Sequence, residues 1–309
     1  MISLKVLAYV HTFNDAEVID ATIKAICCQT YPITEILLID NASVDGTLDR
    51  TFPDNVTIIR NSENLGTSGA VAAGMEYALA HGYDWIYILD ADSTPEPKAI
   101  ENLVRCYLSL GPELQASTWW LSSLLKDEET GFLHHGCVFT RRGVKVLNPP
   151  PQPSHYRCDL NIWSGSFYRL DAVKKVGLPD RNYVLDWGDM IYGYEGMIRG
   201  YTGFADQSSI VIHHLHVFEG AGLRALGSRL VTVYCTHPIR SYYWWRNSIY
   251  FWIYKNGAAR SAIPIMFHSM RLGWWLIRVV LFVRSPGPAL RACFRGTRDG
   301  VNGRLEKRF

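Results

Sequence analysis

Asp84-Trp-Ile-Tyr-Ile-Leu-Asp90-Ala-Asp92 is an apolar run that stops abruptly on two carboxylates. The run reads as a strand, with its acids at the exit. Side chains at i and i+2 of an extended chain leave on one side, so Asp90 and Asp92 can converge on a hard divalent cation. The alternative is a chance acidic triplet in a surface loop. Upstream, Leu4 to Val10 is an apolar run that ends at polar His11-Thr12-Phe13-Asn14, and Asp15 is placed to cap a helical pattern from Val18 to Ile26. Glu35 to Asp40 and Val56 to Ile59 read as the next strands, and alanine-rich Thr67 to His81 as a helix capped by Ser68. Downstream, Pro95 opens a helix to about Leu108. Such a βαβα series predicts an α/β fold, with a mostly parallel central sheet and helices on both faces. The polar residues cluster at 12–14, 40–45 and 90–92, just past strand C-termini, the edge where open α/β sheets bind ligands.

The chain has 309 residues, of which 48% are hydrophobic and 19% charged, enough for a full core and against disorder. Seven scattered cysteines without a CxxC pair exclude a zinc ribbon and a disulfide scaffold, and fit a reducing compartment. The N-terminal stretch lacks the charged start and cleavage site of a signal peptide. The net charge of +2 hides a split: Ala221 to Phe309 holds 15 Lys+Arg against 2 Asp+Glu, so the remainder is acidic. The basic region also carries Trp244, Trp245, Trp252, Trp274 and Trp275. Trp with Arg suits a lipid headgroup layer, and a basic, well-packed helical subdomain is the plainer reading. Ala262 to Val283 is mostly apolar, but Arg271 and Arg278 share one face, which favours an in-plane interfacial helix over a span. We therefore expect two regions, 1–220 and 221–309, the second helical, basic and aromatic-rich.

Between them, Asn148-Pro-Pro-Pro-Gln-Pro153 reads as a stiff loop over a site, and Ile162 to Tyr168 as a strand with a tight Gly165. Asp171 to Val176 and Asp186 to Arg199 read as helices, and Ser209 to Ile212 as a strand closing at His213-His214-Leu-His216. Asp186-Trp-Gly-Asp189 offers a general base, or routine acids on a first helical turn. His213, His214 and His216 offer a metal nitrogen, or buried hydrogen-bonded rings. Asp40-Asn-Ala-Ser-Val-Asp-Gly-Thr47 can read a pyrimidine edge or simply cap the next helix. Asn64-Leu-Gly-Thr-Ser-Gly69 can turn backbone amides to a nucleotide, but spells neither a GxGxxG nor a P-loop.

In order and spacing, His11-Thr-Phe-Asn14, Gln29-Thr-Tyr, Ile39 to Thr47, Asn64 to Gly69, Asp90-Ala-Asp92, Trp163-Ser-Gly165 and Asp186-Trp-Gly-Asp189 resemble family 2 glycosyltransferases of the GT-A fold. The flavour is that of bacterial rhamnosyltransferases and galactofuranosyltransferases, over residues 3 to 220. The resemblance implies an inverting, metal-dependent transfer from a nucleotide diphosphate sugar to a glycan or lipid-linked acceptor. Thr12, Asn14, Asp40 and Asn41 would line the base and ribose, and Asn64 and Gly66 would lie along the nucleotide. Asp90 would contact ribose or metal, and Asp92 and His213 would hold Mg²⁺ or Mn²⁺. Asp189 would be the catalytic base, with Trp163, Gly165 and Asp186 toward the sugar or acceptor. Relatives show an acidic pair or an Asp-x-Glu at the base; here Met190 and Ile191 follow Asp189. The expected location is cytoplasmic, peripheral on the inner membrane face. Two other classes stay open: a sugar-nucleotide nucleotidyltransferase, for which His11 to Asp15 lacks the glycine-rich basic signature, and a non-catalytic membrane- or RNA-binding module. The acidic body argues against nucleic acid.

Overall fold

The computed structural model describes residues 4–148, 154–213, 235–256 and 258–308. His214, His216, most of the Pro-rich loop and the expected boundary at 220/221 lie outside these residues. The elements run β1 (Val6–Thr12), α1 (Ile19–Cys27), β2 (Glu35–Asp40), β3 (Val56–Arg60), α2 (Gly66–Ala80), β4 (Trp85–Asp90), β5 (Ser93–Pro95), α3 (Ala99–Ser109) and α4 (Pro112–Ser117). Then come β6 (Thr118–Asp127), β7 (Leu133–His134), β8 (Cys137–Thr140), β9 (Gly143–Val146), β10 (His155–Cys158), β11 (Ser166–Arg169), α5 (Leu170–Val176), α6 (Gly188–Ile198) and β12 (Thr202–His213). The chain divides into two compact units: Met1–Val138, Val146–Arg181 and Asp189–His214 in the first; Phe139–Lys145, Asn182–Gly188 and Leu215–Phe309 in the second.

The first unit is an α/β fold on one large sheet, ordered β10-β12-β6-β11-β4-β1-β2-β3, with β5 and β7 attached to β12 and β6. Strands β4, β1, β2 and β3 are parallel. Strand β11 then reverses direction between β4 and β6, and β12 returns parallel to β6. The apolar residues of β1, β2 and β4 are buried, as strands covered on both faces require. Gly74 lets α2 settle on that sheet, since a Cβ there would stand 2.5 Å from the Tyr9 ring.

Three local expectations are corrected. Asp15 does not cap α1 with its side chain: the carboxylate instead accepts from Thr12 Oγ1 and Phe13 N, both at 2.8 Å, closing the β1 exit. Ser68 sits inside α2 as a buried hydroxyl, because that helix begins earlier, at Gly66. Pro95 ends the short strand β5 rather than opening a helix, and α3 starts at Ala99. Strand β6 was not expected at all.

In the second unit, α7 (Pro238–Tyr250) runs into a π-helical turn at Phe251–Lys255, followed by α8 (Ala258–Phe282) and α9 (Gly287–Val301). Helices α7 and α9 approach through Gly296 and Gly300, where a Cβ would meet Tyr242 O at 2.2 Å and Arg246 O at 2.4 Å. The basic aromatic stretch is thus largely a core. Trp245, Trp252 and Trp275 are buried and Trp244 is half-buried; of the five tryptophans, Trp274 alone is exposed. A headgroup role for all five is corrected accordingly. Among the described residues, one helix stretch, Ala262–Phe282, is long and apolar enough to cross a membrane by length and composition.

Candidate functional site

Strand register aligns the chemistry in the first unit. His11 of β1 pairs with Asp90 of β4, Thr12 pairs with Asp40 of β2, and Asp40 with Arg60 of β3. The polar residues of four parallel strands therefore end in one row along the C-terminal edge.

At the β1 and β2 exits the predicted side chains hold one another. Asp40, fully buried, accepts from Ser43 N at 3.2 Å and lies 3.4 Å from Arg60 Nε, and Arg60 Nη2 also donates to Ser43 O. Asn14 takes a left-handed backbone, φ 60°, from which its Oδ1 accepts from Val44 N at 2.9 Å while its own N donates to Ser43 Oγ at 2.8 Å. Asn41, also buried, accepts from Asn61 Nδ2 at 2.9 Å. Asn64 Oδ1 accepts from Gly66 N at 2.8 Å, at a φ of 71° that suits glycine. Thr12, Asp40 and Asn41 thereby shape the two loops from within. Arg60, which the motif reading did not single out, supplies the counter-charge and leaves most of its side chain in solvent.

Asp90, Asp92 and His213 form the second cluster. One ligand atom from each lies within 4.8 Å of the others. His213 Nδ1 is 3.1 Å from Asp92 Oδ1, its Nε2 is 3.8 Å from Asp90 Oδ2, and His11 Nε2 is 3.2 Å from Asp90 Oδ1. Strand β5 makes this meeting possible: it pairs antiparallel with β12 in the register Ser93↔His213, so the residue after Asp92 lies opposite the histidine. The turn is tied on three sides. Thr22 Oγ1 donates to Ala91 O at 2.6 Å, Ser164 Oγ accepts from Asp90 N at 3.2 Å and donates to Ser93 Oγ at 2.7 Å, and Ser93 Oγ bonds His213 Nδ1 at 2.8 Å. Two carboxylates and an imidazole, partly open to solvent, are a donor set that fits a hard or borderline divalent cation.

Of the Trp163-Ser-Gly165 stretch, the middle residue touches this turn. Trp163 is buried, its ring 5.9 Å from that of Tyr168 and 5.6 Å from that of Tyr192 in α6. Gly165, at φ 77°, bridges the sheet: its N donates to Ile88 O and its O accepts from Ser123 N. Asp189 stands in the first turn of α6 and accepts from its own neighbour Met190 N at 2.7 Å. It is near enough to Cys137 that its charge adds to burial in pushing that thiol up to about 12.

Asp186 belongs to the second unit. Asp186 and Trp187 both hold left-handed backbone, φ 56° and 65°, a strained pair for non-glycine residues. The strain is held by α7: Asn247 Nδ2 donates to the carbonyls of Leu185 and Asp186, at 2.9 and 2.8 Å. Arg240 Nε reaches Asp186 Oδ1 at 3.3 Å, and burial raises the carboxyl's pKa despite that cation. Asp186 Oδ2 is buried without a hydrogen-bond partner among the described residues.

Residues 8–114 match the family model "Glycosyl transferase family 2". These residues form a family 2 glycosyltransferase domain, and the chain is a glycosyltransferase. That sets aside the nucleotidyltransferase and non-catalytic readings. Across nearly its whole length it is similar to the galactofuranosyltransferase GlfT1 of Mycolicibacterium smegmatis, 24% identical over 98% of each chain. Two solved structures share its GT-A fold. The Staphylococcus aureus TarS fragment 1–349 superposes with a TM-score of 0.56 at 12% identity, over 98% of this chain and 82% of that one. GalNAc-T7, solved with UDP, GalNAc and Mn²⁺, gives 0.57 at 17% identity, over 69% of this chain and 44% of that one.

Proposed function

We propose that this glycosyltransferase moves a sugar from a nucleotide diphosphate donor, of the dTDP-rhamnose or UDP-hexose and UDP-galactofuranose type, to a glycan or lipid-linked oligosaccharide in cell-surface polysaccharide synthesis. The reading rests on one observation: Asp90, Asp92 and His213 meet at the C-terminal edge of the sheet, beside the β1 and β2 exit loops. The likeness to GlfT1 over the full chain supports the galactofuranosyl choice.

Asp90, Asp92 and His213 would hold Mg²⁺ or Mn²⁺, which as a Lewis acid would neutralise charge building on the departing diphosphate. The exit loops carrying Asn14, Asn41 and Asn64 orient the base and ribose, preorganised by the hydrogen bonds that already fix them. Asp189 takes the proton from the acceptor hydroxyl as its oxygen attacks the anomeric carbon opposite the leaving group, so one displacement inverts that centre. Trp163 and Gly165 act on the acceptor side, Trp163 through packing. The same reading sets the enzyme peripherally on the inner membrane face, next to its lipid-linked acceptor.

Incubation with UDP-galactofuranose or dTDP-rhamnose, Mn²⁺ and a polyprenol-linked saccharide should release nucleoside diphosphate. Asp189→Asn should lower turnover by roughly 10² to 10⁴ while donor affinity holds. Wild-type turnover in that variant would remove Asp189 from its role.

A further inference from the structure

Helix α8 carries two apolar faces. His268, Trp275 and Val279 are buried, the latter two in a core with Trp245, Ala289 and Cys293. On the far side, Ile263, Met266, Met270, Trp274, Ile277 and Leu281 follow steps of three and four, which align them in one stripe along the helix. Each is at least half exposed, Trp274 at 63%. An unbroken apolar stripe of this length exceeds the scattered hydrophobics of an ordinary water-facing helix.

The exposed charges described on α8 and α9 are of one sign. Arg271 and Arg278, two turns apart, line one flank between the two apolar faces, where Arg271 also donates to Val144 O at 3.4 Å. Helix α9 exposes Arg291, Arg295 and Arg298 at i, i+4 and i+7, with exposed Phe294 between them. Between residues 221 and 309 the acids are Asp299 and Glu306; Asp299 is buried, accepts from Tyr242 Oη at 2.9 Å and lies 3.7 Å from Arg298 Nε, which leaves Arg291 and Arg295 as the α9 cations away from it.

We infer that the outward stripe of α8 lies in the plane of an anionic lipid surface, its side chains among the headgroups and upper acyl chains while the flanking arginines meet lipid phosphates. This deepens the location read above and depends on it. Arginine stems along an apolar face with heads at its rim have the geometry of a helix lying at an interface. A spanning pose would strip Trp275 and Val279 from their core and carry Arg271 to mid-bilayer. A second copy of the chain is the poorer occupant, because pairing on this stripe would bring arginine rim against arginine rim.

Full-length protein should cosediment with phosphatidylcholine vesicles containing phosphatidylglycerol, and much less with pure phosphatidylcholine. Trp274→Glu should weaken that binding about tenfold or more. Arg291→Gln and Arg295→Gln should each weaken it about fivefold. Leu114→Glu, an exposed apolar site in the first unit, should leave it unchanged. Alkaline carbonate should release the bound protein. Undiminished binding by Trp274→Glu, equal binding to neutral vesicles, retention after carbonate, or a dimer abolished by Trp274→Glu in a protein that ignores vesicles would each overturn the assignment. The UDP–Mn²⁺ thermal shift, read on the same samples, tests the donor site separately, since these substitutions lie outside it.

Discussion

Two charged centres show opposite ways of handling charge. Arg246 in α7 is wholly buried, yet its donors are spent on protein: Nε on Asn247 Oδ1 at 2.8 Å, Nη1 on Leu305 O and Glu306 O, and Nη2 on Asn182 O at 2.8 Å. The rings of Tyr242 and Tyr243 cover its faces, with Tyr243 at 4.7 Å. Asp90 and Asp92 have the reverse arrangement. They stand partly in solvent, their carboxylates beside the imidazoles of His11 and His213, while hydrogen bonds to Asp90 N and Ala91 O hold the turn that carries them. The first centre is completed by folding. The second sets two carboxylates and an imidazole within 4.8 Å of one another at a partly open edge, the arrangement a ligand site needs.

The most damaging way to break the contrast is Arg246→Met. It removes the donor to the carbonyls of Asn182, Leu305 and Glu306, and should cost about 3–5 kcal/mol. Arg246→Lys should recover little, because one ammonium cannot serve carbonyls spread around a planar fork. Urea denaturation measures both; a loss within 1 kcal/mol, about the cost of an ordinary surface change, would deny that the centre is structural.

A buried histidine in the same unit sharpens the point, since folding keeps it neutral. Burial, with Arg271 nearby, pushes His268 down to about 4; its ring packs on Trp245 and its Nε2 lies 3.3 Å from Ser248 Oγ. The unfolded chain binds this proton near pH 6.5, so between about 6.5 and 4 it holds more protons than the native state, and stability falls as pH drops. The slope is about 1.4 kcal/mol per pH unit for each such group. His134, pushed down to about 4, and His135 are lowered by burial as well, so His268→Gln should reduce the acid slope of the unfolding free energy by about 1.4 kcal/mol per pH unit rather than abolish it. An unchanged slope would mean that His268 charges freely when folded.

At the acidic centre, Mn²⁺ at a hundredfold excess over its dissociation constant should stabilise the protein by about 2.7 kcal/mol. Asp92→Asn should remove most of that gain while costing less metal-free stability than Arg246→Met. A large metal-free loss in Asp92→Asn would make the two centres alike.

How much of this could be read beforehand differs residue by residue. The strands Glu35–Asp40 and Trp85–Asp90 are apolar runs with polar stops, and their ends fixed the edge on which Asp40, Asp90 and Asp92 lie. Strand β6, Thr-Trp-Trp-Leu-Ser-Ser-Leu-Leu-Lys-Asp, escaped because Ser122 and Ser123 break the apolar run. Both hydroxyls are buried and satisfied by distant partners, Asn161 for Ser122 and Tyr87 and Ser209 for Ser123, that no local pattern announces. The placement of His213 depends on β5, a three-residue strand too short for periodicity. Arg246 was hidden in plain composition: a basic, aromatic run reads the same whether it faces lipid or folds on itself, and only the α7–α9 approach at Gly296 and Gly300 tells them apart.

The finest test is Ser164→Ala. The hydroxyl is buried, accepts from Asp90 N and donates to Ser93 Oγ, whose own bond to His213 Nδ1 extends the chain to the third member of the cluster. Its loss should cost about 1 kcal/mol, as any single buried hydrogen bond would. Ser166→Ala provides the matched control: that hydroxyl is equally buried but donates to Ile162 O at 2.7 Å, away from the cluster. The stability losses should therefore be similar, while Mn²⁺ affinity by calorimetry falls about tenfold in Ser164→Ala alone, as when a supporting hydrogen bond behind a metal ligand is removed. Equal affinities in the two variants would show that the turn keeps its shape without Ser164, and that the rigidity of the acidic centre comes from the strands alone.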